Sequence, residues 1–441
     1  MIYPANFEQK VGFDRLREQV AALCTIRGGR ERLCAEQFST SQADVERRLA
    51  LADEMRRLLE MERDFPDDEF VDVDYILSKL KIDGSFLEVE EGVSLRRALA
   101  SAGAIAGFIL GRGEELYPEL RLRSRGIEAF PEIVRAIDGI VDQYGKIRDD
   151  ASPELQQIRR MIREREGQAA KRLQQVLSNA KKAGIVEADA MLSIRDGRAV
   201  IPVAAANKRK LQCFIHDVEI NNELKELEYA ERREIVRILS AFTDSIRPEA
   251  DRIALIGDYL SDLDMIRAKA RWAVANGAVK PIVSTDDRLV LRNARHPLLQ
   301  QTLRAQGKQV VPLDLQLDKR RHILVISGPN AGGKSVCLKT TGIIQYMFQC
   351  GFLVPASENS ELPLFRNLMI DIGDEQSIDD DLSTYSSHLL NMKNMLAGAS
   401  NRTLVLIDEF GSGTEPIIGG AIAESILERL RSKGCYGVNA T

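Results

Sequence analysis

The stretch ILVISGPNAGGKSVCLKTTG, residues 323–342, sets a β-branched run, a glycine-rich turn and a helix-forming segment in direct succession. No other feature constrains the fold as tightly. Residues 328–335 fit G-x-x-x-x-G-K-[ST], and the strand before and helix after supply the context that confirms such a motif. Its glycines let backbone N–H groups turn inward around phosphate oxygens, and the helix N-terminus adds partial positive charge. Gly328, Pro329, Asn330, Ala331, Gly332, Gly333, Lys334, Ser335 and Val336 are therefore the expected nucleotide cradle. Lys334 is placed to bridge the terminal phosphates, and Ser335 to offer a hydroxyl to Mg²⁺. A plain glycine turn is the bland alternative, and the combined context argues against it.

Similar short runs recur nearby: HILVIS (322–327), NLMIDI (367–372), TLVLID (403–408) and CYGVNA (435–440), separated by helical stretches. That alternation predicts a mostly parallel sheet with helices on both faces. TLVLID ends in Asp408-Glu409. An aspartate at a strand tip beside the loop can hold Mg²⁺, and the adjacent glutamate can orient or deprotonate an attacking water. Such a pair is a weak signal alone. Coupled to the loop it points to hydrolysis of the bound nucleotide, with Glu409 and Lys334 as catalytic residues and Ser335 and Asp408 as the metal-holding ones.

Ser383 and Thr384 stand ahead of another helical stretch, in DDLSTYSSHLLNMKNML. A helix start of this kind can bind a second phosphate, but not the nucleotide held by Lys334 of the same subunit unless the sheet folds over itself. The economical arrangement is a homodimer in which each copy donates its serine across a two-fold axis; an ordinary helix cap is the local alternative. The turn Gly411, Ser412, Gly413, Thr414 that follows the acidic pair is expected at the same dimer face.

At 441 residues the chain exceeds what one core serves, and roughly two to four units are expected. With 44% apolar, 5% aromatic and 29% charged residues, it reads as a helix-rich soluble protein. No run approaches the roughly 20 apolar residues of a bilayer span, and the start MIYPANFEQKVGF carries no export signal. A cytoplasmic location without membrane partners is expected. Six scattered cysteines and four histidines lack zinc-site spacing, and the cysteines are expected to be reduced thiols. The net charge of -5 excludes a chain basic all over but not a local basic face.

Residues 1–150 read as a helical core. SQADVERRLALADEMRRLLEME opens with a Ser41-x-x-Asp44 capping pattern, and GVSLRRALASAGAIAGFIL is an alanine-rich second helix. Residues 151–276 read as a lever that goes out and comes back. Ser152 caps and Pro153 starts one long helix of about 30 residues, some 45 Å at about 1.5 Å per residue. Between 145 and 185, ten Lys or Arg face five Asp or Glu, an excess of five positive charges; an ion-paired, solvated face is the plain reading. MLSIRDGRAVIPV flanks Asp196-Gly197 with alternating runs, the signal of a tight hairpin. NKRKLQ then groups Lys208, Arg209 and Lys210, and two amphipathic helices return with Pro248 between them. Residues 277–441 read as the nucleotide unit.

Taken together, GPNAGGKS, DIGDEQSIDDDLSTYSSHL, LVLIDEFGSGTEP and the upstream ARHPLL (294–299) make the sequence resemble the MutS family of ABC-type ATPases. The resemblance covers nearly the whole chain. It implies a multidomain protein, mainly α with α/β: a helical core, long lever helices with a small β-rich clamp tip, then a P-loop ABC-type ATPase with a mostly parallel sheet. Such proteins bind ATP and Mg²⁺ and close as dimers around nucleic acid. Here the helical core begins almost at residue 1, as in the type-two MutS branch, which lacks the mismatch-reading and connector domains. That branch is linked to restraining homologous recombination on branched DNA and to rescue of collided ribosomes, and its members usually carry a Smr nuclease domain that this chain does not include. In this context Arg195, Arg198, Lys208, Arg209 and Lys210 become candidates for phosphate contacts with DNA or ribosomal RNA. His296 is expected either to pack against the nucleotide base or to be a structural histidine.

Three departures from the family stand out. The chain stops at GVNAT, before the histidine that senses the γ-phosphate, so a fragment ending inside its ATPase is expected. FIHDVEINNEL passes from His216-Asp217 straight into the returning helix, omitting a Gly/Ser-rich stretch and a Phe-Ile-Glu-Pro segment. Phe410 stands where many members have leucine, and is expected to pack harmlessly. Two other readings compete with an ATP-driven clamp. A chromosome-maintenance ATPase would need its phosphate loop near the N-terminus and heptads over hundreds of residues. A structural interaction module would use ATP only to set its shape, and Glu409→Ala would leave its partner binding unaltered.

Overall fold

The four apolar runs of the last third are short and rich in β-branched residues, and each becomes a strand. The computed structural model describes residues 1–67, 70–195, 198–201, 203, 207, 218–328, 333–373, 384–411 and 415–441. Its strands are β1 (Ile2–Tyr3), β2 (Ser193–Arg195), β3 (Arg198–Val200), β4 (Ile282–Val283), β5 (Leu289–Ala294), β6 (Leu313–Leu317), β7 (Ile323–Ile326), β8 (Glu361–Leu362), β9 (Asn367–Asp371), β10 (Thr403–Ile407) and β11 (Tyr436–Ala440).

Five of them form one all-parallel sheet in the order β1-β9-β10-β11-β7. The register sets Ile407 beside Asp371 and Asn439, and Asn439 beside Val325, so the carboxyl ends of the four long strands share one edge. In open parallel sheets that edge is where ligands bind. The helix Lys334–Gln349 buries Leu338, Ile343, Ile344 and Met347 against Leu368, Ile370, Leu404 and Leu406 on one face. On the other, the helices Thr384–Gly398 and Pro416–Ser432 pack Met392, Met395, Ala423 and Ile426 over Met369, Val405 and Ile407. Helices therefore cover both faces, as the alternating pattern predicts.

Two features differ from the sequence reading. β1 pairs with β9 at the sheet edge, where only helical patterns are expected before residue 110. A second sheet, β4-β8-β5-β6, precedes and flanks the phosphate-loop region, and β5 and β6 run antiparallel.

The chain divides into two compact units. The first comprises Met1–Asp72, Ser101–Glu128 and Ile256–Thr441, and holds both of these sheets. Its helix Gln42–Met61 starts where expected, but the Ser41 side chain makes no capping bond. Asp44 instead turns to Arg47 and Arg48, at 3.1 and 2.8 Å. The second unit comprises Val73–Ala100 and Ala129–Leu255. Within it Ser152 caps the helix Pro153–Lys182 by accepting the Leu155 N–H at 3.0 Å, as predicted. The returning helix Val218–Ile246 packs alongside, with ion pairs Arg159–Glu231 at 2.6 Å and Arg165–Glu223 at 3.2 Å. β2 and β3 pair antiparallel with Arg195 opposite Arg198, the register of the expected two-residue hairpin; Asp196 and Gly197 lie outside the described residues. Part of the basic excess on this arm is thus consumed by internal pairing, Arg163 with Asp149 included.

Among the described residues the helix Val89–Leu110 is long and apolar enough by length and composition to cross a membrane, but Glu90, Glu91, Arg96 and Arg97 interrupt it, so it holds no unbroken run of roughly 20 apolar residues. Leu95, Leu99, Ala102, Ile105 and Ile109 are buried, which fits a core helix.

Candidate nucleotide site at the sheet edge

β7 ends at Ile326, and the chain leaves it through Gly328 at φ 155°, re-entering helix at Gly333 with φ 86°. Both backbones lie where residues with a Cβ are strained. Among the described residues, chain neighbours aside, no atom lies within 4 Å of where a Cβ would sit on either glycine. Pro329, Asn330, Ala331 and Gly332 lie outside the described residues. Lys334, the first residue of the helix, is buried, and its Nζ donates to the carbonyls of Gly328 at 2.5 Å and Thr441 at 2.6 Å. An ammonium gathered against carbonyl oxygens beside a helix start is a preformed partner for phosphate. Ser335 is half-buried in the first turn, and Val336 is exposed.

Two strands away β10 runs into Asp408, which is buried, and its N–H donates to the Asp371 carbonyl at 2.8 Å. Glu409 is exposed and adopts φ 50°, a left-handed backbone rare for a glutamate. Its N–H donates to the Asp408 carboxylate at 3.1 Å, and the Phe410 N–H donates to the Ala440 carbonyl at 2.8 Å. The turn therefore separates the two acids, one inside the sheet edge and one facing out. Phe410 is buried with Met392, Ile407 and Ala423, which bears out its packing role.

The donor set fits a magnesium nucleotide. A serine hydroxyl and one carboxylate are hard oxygen ligands, and magnesium commonly takes one or two protein ligands and completes its shell with phosphates and water. Among the described residues no group of three or more His, Cys, Asp or Glu could hold a metal alone.

Of the other expected residues, Thr384 begins the helix Thr384–Gly398, the helix start that the sequence places there, and Ser383 lies outside the described residues. Gly411 has φ 86°, and Ser412, Gly413 and Thr414 lie outside. Arg195 and Arg198 sit on the hairpin, whereas Lys208, Arg209, Lys210, His216 and Asp217 fall outside the described residues. His296 is the N-cap of the helix Pro297–Ala305, its Nδ1 accepting the Leu299 N–H at 3.5 Å. Burial, reinforced by Lys339, pushes its pKa down to about 4. This is the structural role. The thiols of Cys24, Cys337 and Cys435 are pushed up by burial, to about 12, 11 and 11, and the described cysteines are unpaired.

Sequence reasoning missed one cluster beside the site. Asp371, the last residue of β9, is fully buried, and its carboxylate accepts from His388 Nδ1 at 2.7 Å and from Asn391 Nδ2 at 3.1 Å. Tyr3 of β1 donates to Asn391 Oδ1 at 2.7 Å and accepts from Asn394 Nδ2 at 3.1 Å. A strand-end aspartate in NLMIDI was the available signal, the same one that exposed Asp408.

A glycine loop between strand and helix, a buried loop lysine, and an aspartate–glutamate pair at the end of a parallel strand two away in the same sheet define the P-loop class of nucleotide-binding domains. Within that class, residues 324–441 match the family model described as MutS domain V. The chain is 35% identical to a protein named Endonuclease MutS2 from Pelotomaculum thermopropionicum, over 98% of its own length and 56% of the relative's. Proteins of the same name from Geobacillus sp. (strain WCH70) and Thermomicrobium roseum are 34% and 35% identical, each over 97% of this chain and 56% of theirs. The chain belongs to the MutS family, in its MutS2-type branch, and spans a little over half the length of these curated relatives.

Proposed function

We propose that this chain is the ATP-binding and ATP-hydrolysing part of a dimeric clamp that acts on DNA. The observation that carries the reading is the gathering of Lys334 and Asp408, with Glu409 beside it, at one edge of one parallel sheet. In this reading Lys334 orients the terminal phosphates, and Glu409 orients and deprotonates the attacking water. Ser335 and Asp408 hold Mg²⁺, which when bound neutralises phosphate charge. Ser383 and Thr384 of a second copy complete the site, with the turn Gly411 to Thr414 at the dimer face. Functionally the chain is then a helical core (1–150), a lever and clamp (151–276) and an ATPase (277–441) in the cytoplasm.

The relatives' printed name, endonuclease, supports nucleic acid as the partner. Arg195, Arg198, Lys208, Arg209 and Lys210 would then contact backbone phosphates, so binding should weaken steeply with salt. Branched DNA is the substrate put to the test, and ribosomes enter as the competitor. Full-length protein is assayed for ATP binding, turnover and retention of Holliday junctions as salt rises. Lys334→Ala should abolish ATP binding, and Glu409→Ala should keep binding but lose turnover. Wild-type turnover by Lys334→Ala would overturn the reading. Junction binding indifferent to ATP hydrolysis would replace it with a module that uses ATP only to set its shape, and displacement of junctions by ribosomes would move the target to ribosomal RNA.

A further inference from the structure

We propose that His388, held by Asp371, is a positioning residue for Glu409, and that Tyr3 of the N-terminal strand completes the device. The proposal rests on the assignment of Glu409 to water activation.

Three observations carry it. First, His388, Glu409 and Phe410 line one small cavity, closed by Met392, Gly411, Gly419 and Ile422. Second, His388 is fixed. Asp371 is an acceptor-only carboxylate, so Nδ1 of the ring carries the proton in their 2.7 Å bond, which selects one tautomer and one ring orientation. Asn391, one turn further along the same helix, occupies the other carboxylate oxygen at 3.1 Å. Third, the same aspartate is tied to the acidic turn through its backbone, because the Asp371 carbonyl accepts the Asp408 N–H at 2.8 Å. One residue therefore links the helix Thr384–Gly398 by its side chain to the strand tip that presents Glu409 by its main chain.

A brace is needed there. Glu409 follows the last paired residue of β10 by two positions and adopts a left-handed backbone that a glutamate does not favour and that its surroundings must hold in place. With no wall behind it, an exposed carboxylate samples many rotamers, and a displacement of about 1 Å can cost about a hundredfold in rate. His388 supplies one side of that wall. Tyr3 extends the brace across the molecule: its hydroxyl bridges Asn391 and Asn394, fastening the helix to β1 at the sheet edge. On this account β1 belongs to the ATPase although it lies more than three hundred residues upstream of the loop.

The test uses full-length His388→Ala, Asp371→Ala, His388→Asn, Tyr3→Phe and Glu409→Ala, reading kcat, KM, affinity for a non-hydrolysable ATP analogue, and melting temperature. The two alanine variants should lower kcat by about tenfold or more with analogue affinity unchanged within about twofold. His388→Asn places an amide N–H where Nδ1 stands and should keep kcat within about threefold of wild type. Tyr3→Phe should lower kcat by about threefold. Wild-type kcat in His388→Ala while Glu409→Ala is inactive would overturn this inference alone. So would a loss of kcat that His388→Asn does not rescue, because the hydrogen bond would not be its cause. Wild-type turnover by Glu409→Ala would overturn both this and the assignment beneath it. If neither alanine variant folds, Tyr3→Phe decides: unchanged kcat overturns the brace.

Discussion

His296 makes stability depend on pH in a calculable way. Its imidazole caps the helix Pro297–Ala305 through an unprotonated Nδ1, and burial beside Lys339 holds its pKa down at about 4 instead of 6.5. Between those values the unfolded chain binds a proton that the folded chain refuses. The stabilisation is therefore complete above pH 6.5 and is lost as the pH falls toward 4. At about 1.4 kcal/mol per pH unit the loss is about 2 kcal/mol by pH 5 and about 3 kcal/mol by pH 4. His296→Asn keeps a capping acceptor that does not titrate in this range. Urea unfolding at pH 7.5 and pH 5.0 compares the two proteins. Wild type should lose about 2 kcal/mol more than the variant on acidification. Equal losses would refute the buried, neutral cap.

Three further perturbations test the frame around the site. Gly351 closes the phosphate-loop helix at φ 70°, and a Cβ there would sit 2.4 Å from Arg48 Cβ, so Gly351→Ala should cost about 2 kcal/mol or more in chemical denaturation. Lys269 is buried, pairs with Glu36 and reaches the Cys350 and Gly351 carbonyls, each at 3.4 Å. Lys269→Met alone should destabilise by about 3 kcal/mol, and adding Glu36→Leu should recover most of it, because an unpaired buried charge costs more than a lost pair. Ser152→Ala removes both the cap of the long helix and the 2.6 Å bond to Glu234, and should lower stability by about 1–2 kcal/mol, visible as a shifted melting midpoint.

What could be read from the residues was local. The loop from Gly328 to Ser335, the strand ending in Asp408-Glu409, the cap at Ser152 and the hairpin register around Asp196-Gly197 all announce themselves within a few positions, because the physics that shapes them acts over a turn or a strand. β1 escaped because a two-residue strand has no period to detect. β4 and β8 escaped for the same reason, each pairing only two residues with a distant partner. Ser41 misled because its sequence satisfies a capping pattern while Asp44 has better partners in Arg47 and Arg48. The Asp371–His388 pair and its link to Tyr3 exist only once the sheet has brought residue 3 beside residues 391 and 394. Spacing along the chain carries no trace of that meeting.

Steady-state ATP turnover per subunit, measured on full-length protein across a dilution series and paired with sedimentation at each concentration, probes the shared site most directly. The rate per subunit should climb with concentration and level off as the dimer population saturates. A constant rate in a species that sediments as a monomer throughout would contradict a site completed by the second copy's Ser383.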